Sequence, residues 1–360
     1  MPADAAARVT SLAYLEQPEV RPAIGVATDR HLVGTLGGRR ASGGVLRVYT
    51  LPGEVLAAGR WHLAPPGVLD AGESFQRRIT GGRALALGEG YLGFSLLLPH
   101  RAALVSDDPL ALKPAQVPNR YVRGLMRALK SLGLSAYYPG RDLVTVNRRP
   151  IAAVSFEADE RGRLVFEGIL AVARPLGAVA HLLDRWDTTG VIKADLLALE
   201  GGTSLYEEIG EEPTLTELGA LLLDGYKQQF GVTVEAESLL PLETQAIAAL
   251  AEREAMAWNG MRQRRDDLSL VGTSGIQTGV LEAHFALEQG RFLKDIQLAG
   301  DIIADSPGIA ALEYKLRLCP AEPAAIARVV ESVFEDPAHY LLGIGPQRTV
   351  ADTIMKGMPG

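Results

Sequence analysis

Two stretches carry the residues best suited to chemistry. In Gln76-Arg77-Arg78-Ile79-Thr80-Gly81-Gly82-Arg83-Ala84, paired arginines run into paired glycines, with a third arginine directly after. Glycine lets the backbone lie close to an anion, and guanidinium forks grip carboxylate or phosphate in bidentate fashion. The second stretch, Pro139 to Ala153, is a Pro-Gly turn, then Arg141 and Asp142, then a strand that breaks at Arg148-Arg149-Pro150. Asp142 either caps the turn or serves as a ligand, and Arg148 and Arg149 either end the strand in solvent or reach into a site. Glu167, on an otherwise apolar strand, needs a cationic partner or a function. Thr203-Ser204 suits a turn cap better than a ligand site, and His31 reads as a surface or helix-face residue.

The bulk numbers narrow the function classes. The chain has 360 residues, 47% hydrophobic and 22% charged, with a formal net charge of −7. That balance excludes a bulk electrostatic pull toward nucleic acid or an anionic membrane. A local basic patch from the arginines at 77, 78, 83, 141, 148 and 149 would serve to approach an acidic carrier. The single cysteine, Cys319, excludes an intrachain disulfide and a cysteine zinc site, and reads as a buried thiol in a reducing cytoplasm. No basic, apolar leader follows Met1 and no apolar run reaches 18 residues, so a cytoplasmic protein with no membrane span is expected.

The elements that must position these residues follow from periodicity. Strands are expected at 45–49, 55–59, 83–87, 92–98, 142–147, 151–156 and 164–172, joined as hairpins. A helix capped by Asn119 presents Val122, Leu125, Met126 and Leu129, and ends at Gly133. From 176 the pattern turns helical, with a capping box Thr214-x-x-Glu217 opening a helix closed by Gly231, and a second helix over 242–258. A hairpin over 279–298 and helices near 308–317, 323–334 and 347–356 finish the chain. The expected fold is α+β: a mostly antiparallel mixed sheet flanked by helices, plus a small C-terminal α+β domain. Its divisions are a flexible segment with a short helix (1–44), a main domain (45–260), a linker (261–275) and an accessory domain (276–360).

The order of these motifs resembles the lipoate–protein ligase family, within the biotin/lipoate ligase fold. Arg77-Arg78-Ile79-Thr80-Gly81-Gly82 is similar to its arginine–arginine–x–x–glycine–glycine–glycine loop. Gly140-Arg141-Asp142-Leu143 resembles its glycine–arginine–asparagine–aspartate signature. Gly279 to Asp301 is similar to the hairpin of its accessory domain. The resemblance implies ATP-dependent activation of lipoate or octanoate to an acyl-adenylate, then transfer to a lysine of a lipoyl or acyl carrier domain. Arg77, Arg78, Gly81, Gly82 and Arg83 would hold substrate and nucleotide, Asp142 the nucleotide or Mg2+, and the apolar strand 92–98 an eight-carbon chain.

The chain departs from that pattern at four places. Pro150 stands where the family carries a lysine that touches acyl carbonyl and phosphate, and proline offers neither charge nor donor. Arg83 replaces the third glycine, Ala86-Leu87-Gly88 replaces a tyrosine–histidine–aspartate, and Glu167-Gly168 replaces a histidine–glycine pair. Two readings follow. In the ligase reading, an arginine stands in for the missing lysine: Arg83, Arg148 or Arg149 could reach the vacated space, with Arg148 and Arg149 as the catalytic candidates. In the other, the chain is a divergent, non-catalytic pseudoenzyme that binds a lipoyl-type domain, an acyl group or a nucleotide as scaffold or sensor. A cysteine acyltransferase is a remote third, because Cys319 falls in the accessory part.

Overall fold

The computed structural model describes residues 7–36, 43–64, 75–178, 201–256 and 262–359. The glycine-rich stretch at 37–42, much of the helical reading at 179–200, and the end of the 242–258 helix lie outside them. In chain order, β1 (Ser11–Gln17), α1 (Pro22–Thr35), β2 (Gly44–Tyr49), β3 (Glu54–Ala58), β4 (Phe75–Arg77), β5 (Leu85–Gly88) and β6 (Tyr91–Leu98) come first. Next are α2 (Val117–Ser131), β7 (Ala136–Tyr137), β8 (Leu143–Val146), β9 (Arg149–Ala158) and β10 (Leu164–Ala171). Then follow α3 (Leu205–Ile209), α4 (Leu215–Phe230), β11 (Thr233–Ala236) and α5 (Pro241–Met256). The C-terminal part holds β12 (Leu270–Ile276), β13 (Gly279–Glu288), β14 (Phe292–Gly300), β15 (Ile303–Ala304), α6 (Ser306–Leu316), α7 (Pro323–Phe334), β16 (Leu341–Leu342) and α8 (Thr349–Lys356).

The main sheet runs β11-β1-β2-β6-β10-β9-β8-β7, parallel only where β1 meets β11 and β2. This is the α+β, mostly antiparallel sheet expected from the hairpin meander, flanked by helices, with a small C-terminal sheet β12-β13-β14. Strands β2, β6 and β10 are buried along their whole lengths, as a sheet covered on both faces requires. Phe94, Tyr121, Phe166, Tyr226 and Phe230 pack as one aromatic group between sheet and helices. Each such side chain contributes roughly 1.5–3 kcal/mol by leaving water. A second core, with Phe285, Leu293, Ile326, Val350 and Ile354, fills the C-terminal part and takes in Trp61 from the main part.

Three local expectations change. The first 44 residues, expected as a flexible segment with a short helix, hold a full strand, β1, inside the main sheet, followed by the 14-residue helix α1. Asn119 is not a cap: α2 begins two residues earlier, after a 3-10 turn at Pro114–Gln116, and Pro118 occupies its first turn. Leu270–Ile276, expected in a linker, is strand β12, because Gly272 and Ser274 turn inward while Val271, Thr273 and Gly275 face water. The capping box Thr214/Glu217 and the left-handed Gly231 close α4 as its sequence predicts. No helix among the described residues is long and apolar enough to cross a membrane.

Candidate functional site

One row of polar side chains crosses four strands of the main sheet. Arg47 on β2 sits opposite Ser95 on β6, Ser95 opposite Glu167 on β10, and Glu167 opposite Ser155 on β9. All four are buried. Directly paired residues share a face of a sheet, so these four make one polar stripe in an apolar layer. Bare charges there would be very costly, and the chain covers them from above. Asp29 of α1 meets Arg47 at 3.0 Å and accepts from Ser95 Oγ at 2.7 Å. Gln17 and the carbonyl of Gly25 accept further from Arg47, whose guanidinium lies 4.2 Å from the Tyr49 ring centroid.

The loop Arg78–Arg83 covers the other half of the row. Arg78 Nη1 donates to Glu167 Oε1 at 2.8 Å, and Thr80 Oγ1 donates to the same oxygen at 2.6 Å. Arg78 Nη2 donates to the carbonyls of Gly81 and Arg83. Burial pushes the Glu167 carboxyl up from its ordinary value, against the pull of Arg78 and Thr80. The Gly81 carbonyl accepts from Ser155 Oγ at 2.9 Å, and the Gly82 amide donates to the Ile302 carbonyl at 2.7 Å. Both glycines are required there. A Cβ on Gly81 would stand 2.3 Å from the Ile302 oxygen, and Gly82 has φ +85°.

Arg83 and Asp142 form a buried bidentate pair, with Nε to Oδ2 at 2.5 Å and Nη2 to Oδ1 at 3.2 Å. Burial alone would lower the Arg83 guanidinium, but the carboxylate against it holds it above its ordinary value. Both oxygens of Asp142 are therefore engaged by a cation. Among the described residues no group of three or more histidine, cysteine, aspartate or glutamate side chains is arranged to hold a metal ion. The donor set at Asp142 does not fit Mg2+.

The remaining candidates sit elsewhere. Asn147 and Arg148 form the left-handed turn between β8 and β9, and Arg148 is exposed. Arg149 is exposed as well, donating to the Gly202 carbonyl at 2.7 Å and to Glu207 at 2.6 Å. Arg149 lies six residues from Ser155 along β9, roughly 20 Å at strand rise. The structure brings Arg78, Gly81, Gly82, Arg83 and Asp142 together and leaves Arg148 and Arg149 at the far end. Arg77 borders the loop, donating to the Arg60 carbonyl at 3.2 and 2.9 Å. Thr203 donates to Glu208 and Ser204 caps α3, while Cys319 is a buried core thiol whose pKa burial raises.

Sequence reasoning missed Arg47, Asp29, Ser95 and Ser155, and the contacts from beyond residue 300. One signal was present: Arg47 interrupts Val45-Leu46-Arg47-Val48-Tyr49 and Ser95 interrupts an apolar run, as Glu167 does. His62 and Asp301 complete the loop's frame, with Nε2 and Oδ1 at 2.8 Å, both side chains almost fully buried. Asp301 also accepts from the amides of Val280 and Ala84.

Residues 59–227, which hold this loop, three strands of the row and Asp142, match the model of the lipoyl protein ligase A/B catalytic domain. Over these residues the chain is similar to that catalytic domain. Solved structures agree on the fold. LipL1 of P. falciparum, in complex with lipoate, aligns over 89% of this chain and 94% of its own, with TM-score 0.64 and 13% identity. A bipartite lipoate protein ligase from Thermoplasma acidophilum, solved in a study of that ligase and its E2 lipoyl domain, aligns over 72% and 99% (TM-score 0.54, 17% identity). A lipoate-protein ligase A bound with ATP aligns over 71% and 98% (TM-score 0.52, 17% identity). At these identities the likeness is one of fold. No curated protein matches the chain by sequence.

Proposed function

We propose that this chain is a non-catalytic member of the lipoate–protein ligase family that binds a lipoyl-type carrier domain and forms no acyl-adenylate. One observation carries the reading: the arginines suited to grip a carboxylate and a phosphate are already consumed. Arg78 is held by Glu167 and two carbonyls, and Arg83 by both oxygens of Asp142. Freeing either one strands a buried carboxylate, which costs about 3–5 kcal/mol. An incoming triphosphate would meet that carboxylate as a like charge. Pro150 and the distant Arg149 support the same reading, since neither offers a cation beside Gly81.

The adenylating alternative, with ATP, Mg2+ and lipoate or octanoate, requires Arg83 to leave Asp142 and Arg78 to leave Glu167 when substrate enters. ATP–pyrophosphate exchange across lipoate, octanoate and other acids separates the two. The expected result is no exchange, together with calorimetric binding of a lipoyl domain. Exchange that disappears in Arg78→Ala would sink the non-catalytic reading.

A further inference from the structure

Helix α2 carries a row of cations on the side of the sheet away from the arginine loop. Phe94 and Phe166 stand next in sequence to Ser95 and Glu167, so they face the opposite side of β6 and β10. Tyr121 of α2 packs on Phe166 there, with ring centroids 6.0 Å apart. Buried Tyr121, Val122, Leu125 and Leu129 fix the inner face of the helix. Arg120, Arg123, Arg127 and Lys130 fall on its outer face, within roughly 80° of one another at about 100° per residue. Arg123, Arg127 and Lys130 are exposed, and Arg120 is half-buried.

No described carboxylate pairs with this row. α2 itself contains no aspartate or glutamate. Arg120, Arg123 and Lys130 make no hydrogen bond or ion pair with a described residue, and Arg127 Nε donates to the neutral Gln229 at 2.7 Å. α4, which crosses α2, has two carboxylates that are used within it. Glu217 closes its capping box, and Asp224 stands 3.7 Å from Lys227. Steps of three and four residues make each cation of the row the neighbour of the next, so the row repels itself. Arg120 also stands near the N-terminus of α2, where the helix dipole disfavours a cation. On a chain of net charge −7, a self-repelling positive row is complementary to a negative partner from outside.

Spacing selects the kind of partner. Along the α2 axis the cations are separated by about 4.5, 6.0 and 4.5 Å, over roughly 15 Å in all. Carboxylates on one face of another α-helix repeat at the same steps. One face of an extended chain repeats about every 6.6 Å and falls out of register. A nucleic acid would bring its dense charge against a chain that is acidic as a whole. Half-buried Met126 borders the row, and β7, which packs against α2, leaves Tyr137 66% exposed. Methionine and tyrosine are side chains that protein interfaces favour.

We propose that the outer face of α2 is a docking surface for an acidic α-helix of a protein partner. The surface lies across the sheet from Arg78, Glu167 and Asp142, and it rests on neither reading of that site.

The test is a fluorescence-anisotropy titration of the full chain into a labelled, alanine-based helical peptide with four glutamates at the 3-4-3 spacing of the row. An isomer with the same four glutamates spread round the helix is the comparison. Saturable binding of the matched peptide is expected, about fivefold tighter than the isomer and weakening with added salt. Combined Arg123→Glu and Lys130→Glu is expected to weaken it by more than about tenfold, and Arg123→Gln with Lys130→Gln by about fivefold. Arg161→Glu, on the exposed turn between β9 and β10, leaves the affinity unchanged. Both α2 variants relieve like-charge repulsion, so a melting temperature at or above wild type separates lost binding from lost fold. Absence of saturable binding, equal affinity for the two isomers, or unchanged affinity in the folded reversal variant overturns the docking surface. A DNA duplex that displaces the labelled peptide at lower concentration than unlabelled peptide does assigns the row to nucleic acid and overturns the helix partner.

Discussion

At the residue scale, the polar row behaves as a set of closed pairs, and pairs answer substitution in a characteristic way. Arg78→Ala strands Glu167 in an apolar layer and is expected to cost about 3–5 kcal/mol in denaturant unfolding. The combined Arg78→Met, Glu167→Leu variant removes both charges and is expected to recover most of that loss. A loss under about 1 kcal/mol for the single variant would show that the pair is not buried in solution. Glu157 gives the pH counterpart. Its folded value of about 8 lies above the 4.5 of an ordinary glutamate, so the folded state binds the extra proton. Stability from this group is fully present below about 4.5 and is lost as pH rises through about 8, by a few kcal/mol on the order of 1.36 per pH unit. Glu157→Gln is expected to flatten that decline in melts between about pH 5 and 8.5. An unchanged slope would rule Glu157 out as its source.

At the scale of elements, α2 and α4 pack closely through two glycines. A Cβ on Gly225 would stand 2.3 Å from the Gly124 carbonyl oxygen, and one on Gly124 would strike the Tyr226 ring at 2.6 Å. Glycine to alanine inside a helix ordinarily stabilises by up to about 1 kcal/mol. Gly225→Ala is expected to reverse that sign and cost about 1–3 kcal/mol, because the obstacle is backbone and cannot turn aside. A melting temperature at or above wild type would show that the helices separate freely. Elements were also where sequence was most informative. Alternation and caps specified the hairpins from β8 to β10 and the helix α4, since those signals are local. β1 escaped because Ser11-Leu12-Ala13-Tyr14-Leu15 is short and weakly patterned, and its parallel partner β11 lies over two hundred residues away. The site was legible in its residue types at Arg78, Arg83 and Asp142. It was not legible in its pairing, because Glu167, Asp142 and Ile302 reach the loop only through tertiary packing.

At the scale of the molecule, the loop is clamped between two cores. Asp301 joins His62, Ala84 and Val280 in one buried cluster, and Gly82 hangs from the next residue, Ile302. Asp301→Ala would leave two buried amides and an imidazole without their acceptor, a loss of about 3 kcal/mol or more. Amide exchange at residues 80–84 is expected to speed up together with exchange in β13. Acceleration confined to β13 would argue against the clamp. The same clamp sets a timetable for synthesis. His62 leaves the ribosome 239 residues before Asp301 does. At about 5–20 residues per second, that is a wait of roughly ten to fifty seconds. Over the later part of that interval, once Glu167 has emerged, the arginine loop has the strands of its row but not its lid, so a nascent chain paused before residue 301 holds Gly82 without the Ile302 carbonyl that fixes it in the finished protein.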